Sequence, residues 1–245
     1  MPNETNDIVL SVRNISKSFP GVQALSSVSL DIRRGEVHVL MGENGAGKST
    51  LMKLLAGIYE PDGGEILLEG TPVRMENPLK AQKLGVNLIN QELNIAGNLT
   101  VAENVFMGNE PSRFGLVDRA EMAEHAAEAL AKLGSSFPAA AIAGTLSIAE
   151  QQQIEIARSI VHNGKILIMD EPTAALSDRE TERLFELILS LRSKGMAIIY
   201  ISHRLAEVAV IADQVSVLRD GAYIGTLRKP NLDNAELVRM IVGRS

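Results

Sequence analysis

The chain contains no cysteine. That removes disulfides, thiolate metal sites and cysteine nucleophiles together, and it fits a reducing compartment. No run reaches about 18 uncharged apolar residues, so nothing reads as a membrane span and any membrane role has to run through a partner. The opening stretch, MPNETNDIVLSV, lacks the basic-then-apolar pattern of a secretory signal. Positive charge is also short: 24 Lys and Arg face 30 Asp and Glu, a net charge of −6. That weighs against nucleic acid as the main partner, because nucleic acid favours a basic face. There is no internal repeat and no low-complexity segment.

What is present is ordinary globular material, 45% hydrophobic and 22% charged. A chain of 245 residues buries roughly 70–75% of its unfolded surface, enough for a core. One α/β domain with insertions is the default expectation, with two small domains as the alternative.

The most informative stretch is 36–50, EVHVLMGENGAGKST. Val37, Val39, Leu40 and Met41 read as a short buried strand. Gly42, Glu43, Asn44, Gly45, Ala46 and Gly47 form a glycine-punctuated turn, and Lys48, Ser49 and Thr50 open a helix. This is the P-loop pattern G-x-x-x-x-G-K-S in its strand–loop–helix context. Glycines let backbone N–H groups close around phosphate oxygens, and the helix N-terminus adds partial positive charge. Lys48 supplies a point charge for the β- and γ-phosphates, and the Ser49 hydroxyl suits Mg²⁺.

The rest of the chain supports a P-loop core. Residues 8–13 and 27–32 alternate as half-buried strands and predict a small antiparallel sheet. Ser18 to Val22 reads as a turn carrying Phe19. Glycines bracket a strand at 65–68, a short helix is predicted over 77–84, and a buried strand over 86–89, with Gln91 just beyond it. Residues 92–160 read as a helical insertion, with helical spacing at 101–107, 119–133 and 147–161. An apolar strand at 166–169 runs into Asp170-Glu171-Pro172. A helix at 179–194, a strand at 197–202, a hairpin around Asp220-Gly221 and a last helix at 234–242 follow.

Three further features carry chemistry. Asp170 and Glu171 end an apolar strand; such carboxylates either hold a metal and activate water, or merely solvate the strand end and cap the next helix. Ser147 with Glu150 three residues on is a capping box, and in either reading Ser147 marks a helix N-terminus suited to an anion. His203 follows a strand end, where open α/β sheets bind ligands, although a lone histidine is commonly structural. Gln91 shares that position, with a capping glutamine as the plain alternative. His38, His125 and His162 lie in strand or helix patterns and read as structural.

Taken in order, these motifs resemble the ATP-binding cassette (ABC) transporter ATPases over the whole chain. The resemblance implies an α/β fold: a RecA-like P-loop NTPase core with an antiparallel β subdomain and an α-helical insertion. It implies one nucleotide-binding domain over 7–242, with core 7–91 and 161–242 and a helical subdomain at about 92–160. Its cofactors are ATP and Mg²⁺. Phe19 is similar to the aromatic that stacks on adenine, and Gly42 through Thr50 would hold the phosphates. Ser49, Gln91 and Asp170 resemble the residues around Mg²⁺. Gln91 looks like the switch glutamine, Glu171 like the general base and His203 like the γ-phosphate sensor. Ser147 resembles the signature serine, which serves the nucleotide of an opposed second cassette. The signature here reads Ser147-Ile148-Ala149-Glu150 where the family usually has Ser-Gly-Gly-Gln, and Ser177 stands where it usually has Asp.

Stretches such as NQELN at 90–94, LSIAEQQQIEIAR at 146–158 and ISHRLAEV at 201–208 resemble the first cassette of bacterial monosaccharide importers. The implied partners are permease membrane subunits, a second nucleotide-binding domain in tandem or as a homodimer, and indirectly a periplasmic sugar-binding protein. No nucleic acid is implied. The implied location is the cytoplasmic face of the inner membrane. The alternatives are a soluble cassette acting on ribosomes or DNA, and a regulatory half with weak hydrolysis.

Overall fold

The computed structural model describes residues 7–91 and 93–243; Glu92, which belongs to the NQELN stretch quoted above, lies outside them. The chain opens with two long strands, β1 (Ile8–Phe19) and β2 (Val22–Arg33), paired antiparallel as one hairpin. The expected turn at 18–22 shrinks to Pro20-Gly21, because Phe19 and Val22 pair with each other. Alternation was visible only in the inner halves. The outer halves are strands because each pairs with the other, which no local pattern reports.

β3 (Val37–Met41) is buried at every position. The P-loop and α1 (Lys48–Leu55) follow, then β4 (Gly63–Leu68) and β5 (Thr71–Val73). The strands β2-β1-β4-β5, in that order, make the four-stranded antiparallel sheet. α2 (Pro78–Lys83) is capped by the Asn77 side chain, and β6 (Val86–Ile89) leads into the helical region.

That region holds α3 (Val101–Phe106), a two-residue ribbon of β7 (Ser112–Arg113) and β8 (Leu116–Val117), α4 (Arg119–Leu133) and α5 (Ile148–Val161). Thr100/Glu103 and Ser147/Glu150 form complete capping boxes on α3 and α5. Val101, Val105, Phe106, Ala126, Leu130 and Ile154 pack into a cluster of their own. The ribbon was not expected; it is too short for periodicity to register.

The chain then returns through β9 (Ile166–Asp170), α6 (Asp178–Ser193), β10 (Ala197–Ile201), α7 (Leu205–Ile211), β11 (Gln214–Arg219), β12 (Ala222–Arg228) and α8 (Asn234–Val242). Ser177 caps α6 with Glu180 as its box partner. The second sheet has the order β12-β11-β3-β10-β9-β6, parallel except for the edge strand β12. One apolar cluster joins a face of this sheet and α1 to the antiparallel sheet, through Leu40, Ile168, Ile199, Leu51 and Leu10. Another covers the opposite face with α6 and α7, through Val39, Leu167, Tyr200, Ile188 and Ile211. Burial on both faces is why the central strands read as unbroken apolar runs.

Candidate functional site

The register of the parallel strands builds the site. Ile201 stands opposite both Leu40 and Asp170, Ile89 opposite Met169, and Val217 opposite Met41. The carboxyl ends of β3, β6, β9 and β10 are therefore level, and the residues after them share one edge: Gly42, Gln91, Glu171 and His203. Ligands of open α/β sheets bind at that edge.

The loop after β3 is shaped by its neighbours. Gly47 has φ of 95°, and a Cβ there would lie 2.5 Å from the Ala24 carbonyl oxygen. Gly42 also has positive φ, and a Cβ there would run into the Leu218 carbonyl. No side chain caps α1 and its first turn holds no acid. Side chains do cap α2, α3, α4, α5, α6 and α8. The amide end of α1 thus faces the loop with no side-chain acceptor of its own, which suits an anion. The Lys48 ammonium is buried and donates to the carbonyls of Gly42 at 2.8 Å and Glu43 at 3.0 Å.

Across from Lys48 lie the carboxylates. Ser49 lies near enough to Asp170 to favour its charged form. Burial pushes the Asp170 carboxyl up, against the pull of Ser49 and Lys48. Burial likewise pushes Lys48 down, against the attraction of Glu171 and Asp170. Each charge is costly without the other, as expected for a desolvated pair. Glu171 holds φ of 46°, a conformation rare outside glycine and asparagine. Its N–H donates to the Ile201 carbonyl at 3.2 Å, and its Oε1 lies 3.1 Å from Nδ1 of His203.

Lys48, Ser49, Asp170, Glu171 and His203 thus gather at one end of the parallel sheet. Gln91 sits on the same edge, beyond the strand next to β9, with an exposed side chain. Phe19 stands on the antiparallel sheet, half-buried and edge-on to Tyr59 at 5.2 Å between ring centroids. Ser147 does not join the group. It borders a groove between α4, α5 and α6 that no residue of the 42–50 loop lines. Its Oγ and N–H both donate to Oε2 of Glu150, each at 2.9 Å.

Two side chains near the site escaped the reading of the sequence. Gln152 donates through Nε2 to the Pro172 carbonyl at 2.6 Å, tying α5 to the loop after Glu171. Glu207 is buried on α7 and gathers three hydroxyls. Both lie inside quoted motifs, but a polar residue in a short helix carries no sign of which face it takes.

A glycine loop between a buried strand and a helix, facing an acidic end of a parallel strand, defines a P-loop nucleoside-triphosphatase fold. Residues 25–174 match the ABC transporter family. The chain is 59% identical over 236 residues to the ribose import ATP-binding protein RbsA of Yersinia pestis, covering 96% of this chain and 46% of that protein. It is 58% identical to ribose import ATP-binding protein RbsA 2 of Escherichia coli O157:H7, covering 96% of this chain and 47% of that one. The crystal structure of a nucleotide-free ATP-binding cassette from an ABC transporter superposes with a TM-score of 0.83 at 27% identity, over 97% of this chain and 96% of that one. A cassette solved in its ADP conformation gives 0.83 at 28% identity, over 97% and 99%. The chain belongs to the ABC transporter family of ATP-binding cassettes. It spans about half the length of the RbsA proteins it matches.

Proposed function

We propose that the chain is an ATP-hydrolysing cassette that powers import of a monosaccharide, of the ribose type, through a membrane permease. The observation that carries this reading is the placement of the 42–50 loop with Lys48 and Ser49, Asp170, Glu171 and His203 at one sheet edge. The ribose import relatives support the sugar class. Among the described residues no helix is long and apolar enough to cross a membrane. We place the cassette at the cytoplasmic face of that membrane, with a sugar-binding protein acting on the permease from the other side.

In this reading the 42–50 loop amides and the open end of α1 bind the phosphates of ATP. Lys48 turns from its two loop carbonyls to the β- and γ-phosphate oxygens. Phe19 takes the adenine. Ser49, Asp170 and Gln91 are the residues to hold Mg²⁺, which when bound offsets charge on the phosphate oxygens. The uncapped helix end and the Ser49–Asp170 pair fit such a complex. Glu171 takes the proton of a water as its oxygen bonds to the γ-phosphorus and the bond to the ADP oxygen breaks. His203 keeps Nδ1 on Glu171 and offers Nε2 to the γ-phosphate; both nitrogens donate only in the imidazolium form. Ser147 serves the nucleotide of a second cassette.

Phosphate release from the purified chain with Mg²⁺ and ATP tests this. Glu171→Gln is expected to bind ATP and to turn over at least about 10²-fold more slowly, the usual size of a general-base contribution. Lys48→Ala is expected to lose nucleotide binding. Unchanged turnover in the first variant, or unchanged affinity in the second, overturns the assignment.

A further inference from the structure

Behind the Glu171–His203 pair lies a buried carboxylate with no part in the chemistry above. Glu207, on α7, is 5% exposed. Its Oε1 accepts from Thr173 Oγ1 at 2.7 Å. Its Oε2 accepts from Ser202 Oγ at 2.6 Å and Tyr200 OH at 3.0 Å. Ser202 Oγ in turn accepts from the Arg204 N–H at 2.9 Å, and Arg204 Nη1 lies 3.5 Å from Oε1. Thr173 is two residues after Glu171, and Ser202 is the residue before His203. Both hydroxyl residues are buried, at 3% exposure each.

We propose that Glu207 is a positioning residue: its carboxylate clamps the loop after β9 to the loop after β10, and so fixes Glu171 against His203. The proposal rests on the hydrolytic role given above to Glu171. The geometry is that of a staple. Thr173 hangs from one carboxylate oxygen and Ser202 from the other, so the two loops cannot slide without breaking a bond to a charged acceptor. Such bonds are shorter and about twice as strong as neutral ones. A buried carboxylate that lost them would keep its desolvation cost. The loops need such a tie. Glu171 sits at positive φ, and His203 is 59% exposed at its side chain, so neither is held by packing alone. A pair misplaced by about 1 Å can cost 10²-fold in rate.

Two readouts on the full chain separate this role from a plain structural one, and from the role of Glu171. The first is the side-chain ¹⁵N resonance of His203, assigned by its loss in His203→Ala. Glu171→Gln is expected to move that resonance in the wild type and to leave it unmoved in a Glu207→Ala or Thr173→Val background. Equal displacement in all backgrounds overturns the proposal. This readout needs no nucleotide, so it stands even if the wild type releases no phosphate, a result that would overturn only the hydrolytic reading. The second is steady-state turnover. Thr173→Val, nearly isosteric, is expected to lower kcat about 10-fold to 100-fold with KM for ATP unchanged, and Thr173→Ser is expected to restore it. Thr173→Val turning over at the wild-type rate, or losing nucleotide affinity in step with rate, refutes the clamp. Thermal melts of Thr173→Val and Glu207→Ala check that the compared proteins are folded.

Discussion

Glu150 closes the N-terminus of α5 with its own negative charge. Its Oε2 accepts from both the N–H and the hydroxyl of Ser147, at 2.9 Å each. The oxygen that a phosphate from a second cassette would meet is thus already bonded to a carboxylate. A glutamine completes a capping box as well as a glutamate does, without the charge. Glu150→Gln is therefore expected to change stability by less than about 0.5 kcal/mol and to raise phosphate release severalfold. Unchanged release at saturating ATP would show that the carboxylate does not compete. This residue also marks where the sequence was legible and where it was not. Spacing alone announced the capping box, and the structure contains it. That the box engages the hydroxyl itself is a matter of rotamer, which spacing does not carry.

At the scale of elements, α5 links the helical region to the core, and it carries an unusual charge. Glu155 accepts from the Asn94 N–H at 3.1 Å, while its other oxygen is buried without a partner among the described residues. Burial pushes its carboxyl up to about 7. The folded chain thus holds this proton more tightly than the unfolded chain, whose value is about 4.5. The stability this contributes is complete below about 4.5, declines as pH rises toward 7 and is gone above it. Glu155→Gln keeps an acceptor for Asn94 and removes the decline. Denaturant unfolding is expected to show equal stability at low pH and a gain of about 1–3 kcal/mol for the variant at pH 8. Parallel stability curves across that range would refute it.

The elements themselves were unevenly legible. β3, β9 and β10 were plain because burial on both faces makes continuous apolar runs. α3 and α6 showed through the helical spacing of their apolar residues, and α5 also through Ser147 three residues ahead of Glu150; the boxes at Thr100 and Ser177 went unread. The outer halves of β1 and β2 were missed because pairing, not composition, extends them. α7 was missed because seven residues give periodicity too little to act on, and so its buried Glu207 went unread. Motif residues on the sheet edge could be named from the sequence. Their convergence depends on strand order, since β3 and β10 are neighbours 150 or more residues apart in the chain, and no local pattern encodes that.

On the scale of the whole molecule, Ser147 and the 42–50 loop lie in separate parts of one chain. A complete site in our reading draws each half from a different cassette. In that reading the Glu150 carboxylate, which already holds the Ser147 hydroxyl, opposes the phosphate that a second copy would bring. The purified chain with Mg²⁺ and ATP is therefore expected to elute as a monomer at micromolar concentration. A stable nucleotide-dependent dimer on size exclusion with light scattering would contradict that and return Ser147 to full strength.

Gly42 and Gly47 are boxed in by the carbonyls of Leu218 and Ala24. The chain's own backbone, before any nucleotide arrives, forbids a larger residue at either place. A side chain added at Gly42 or Gly47 would therefore damage the nucleotide-free fold first and the chemistry only through it.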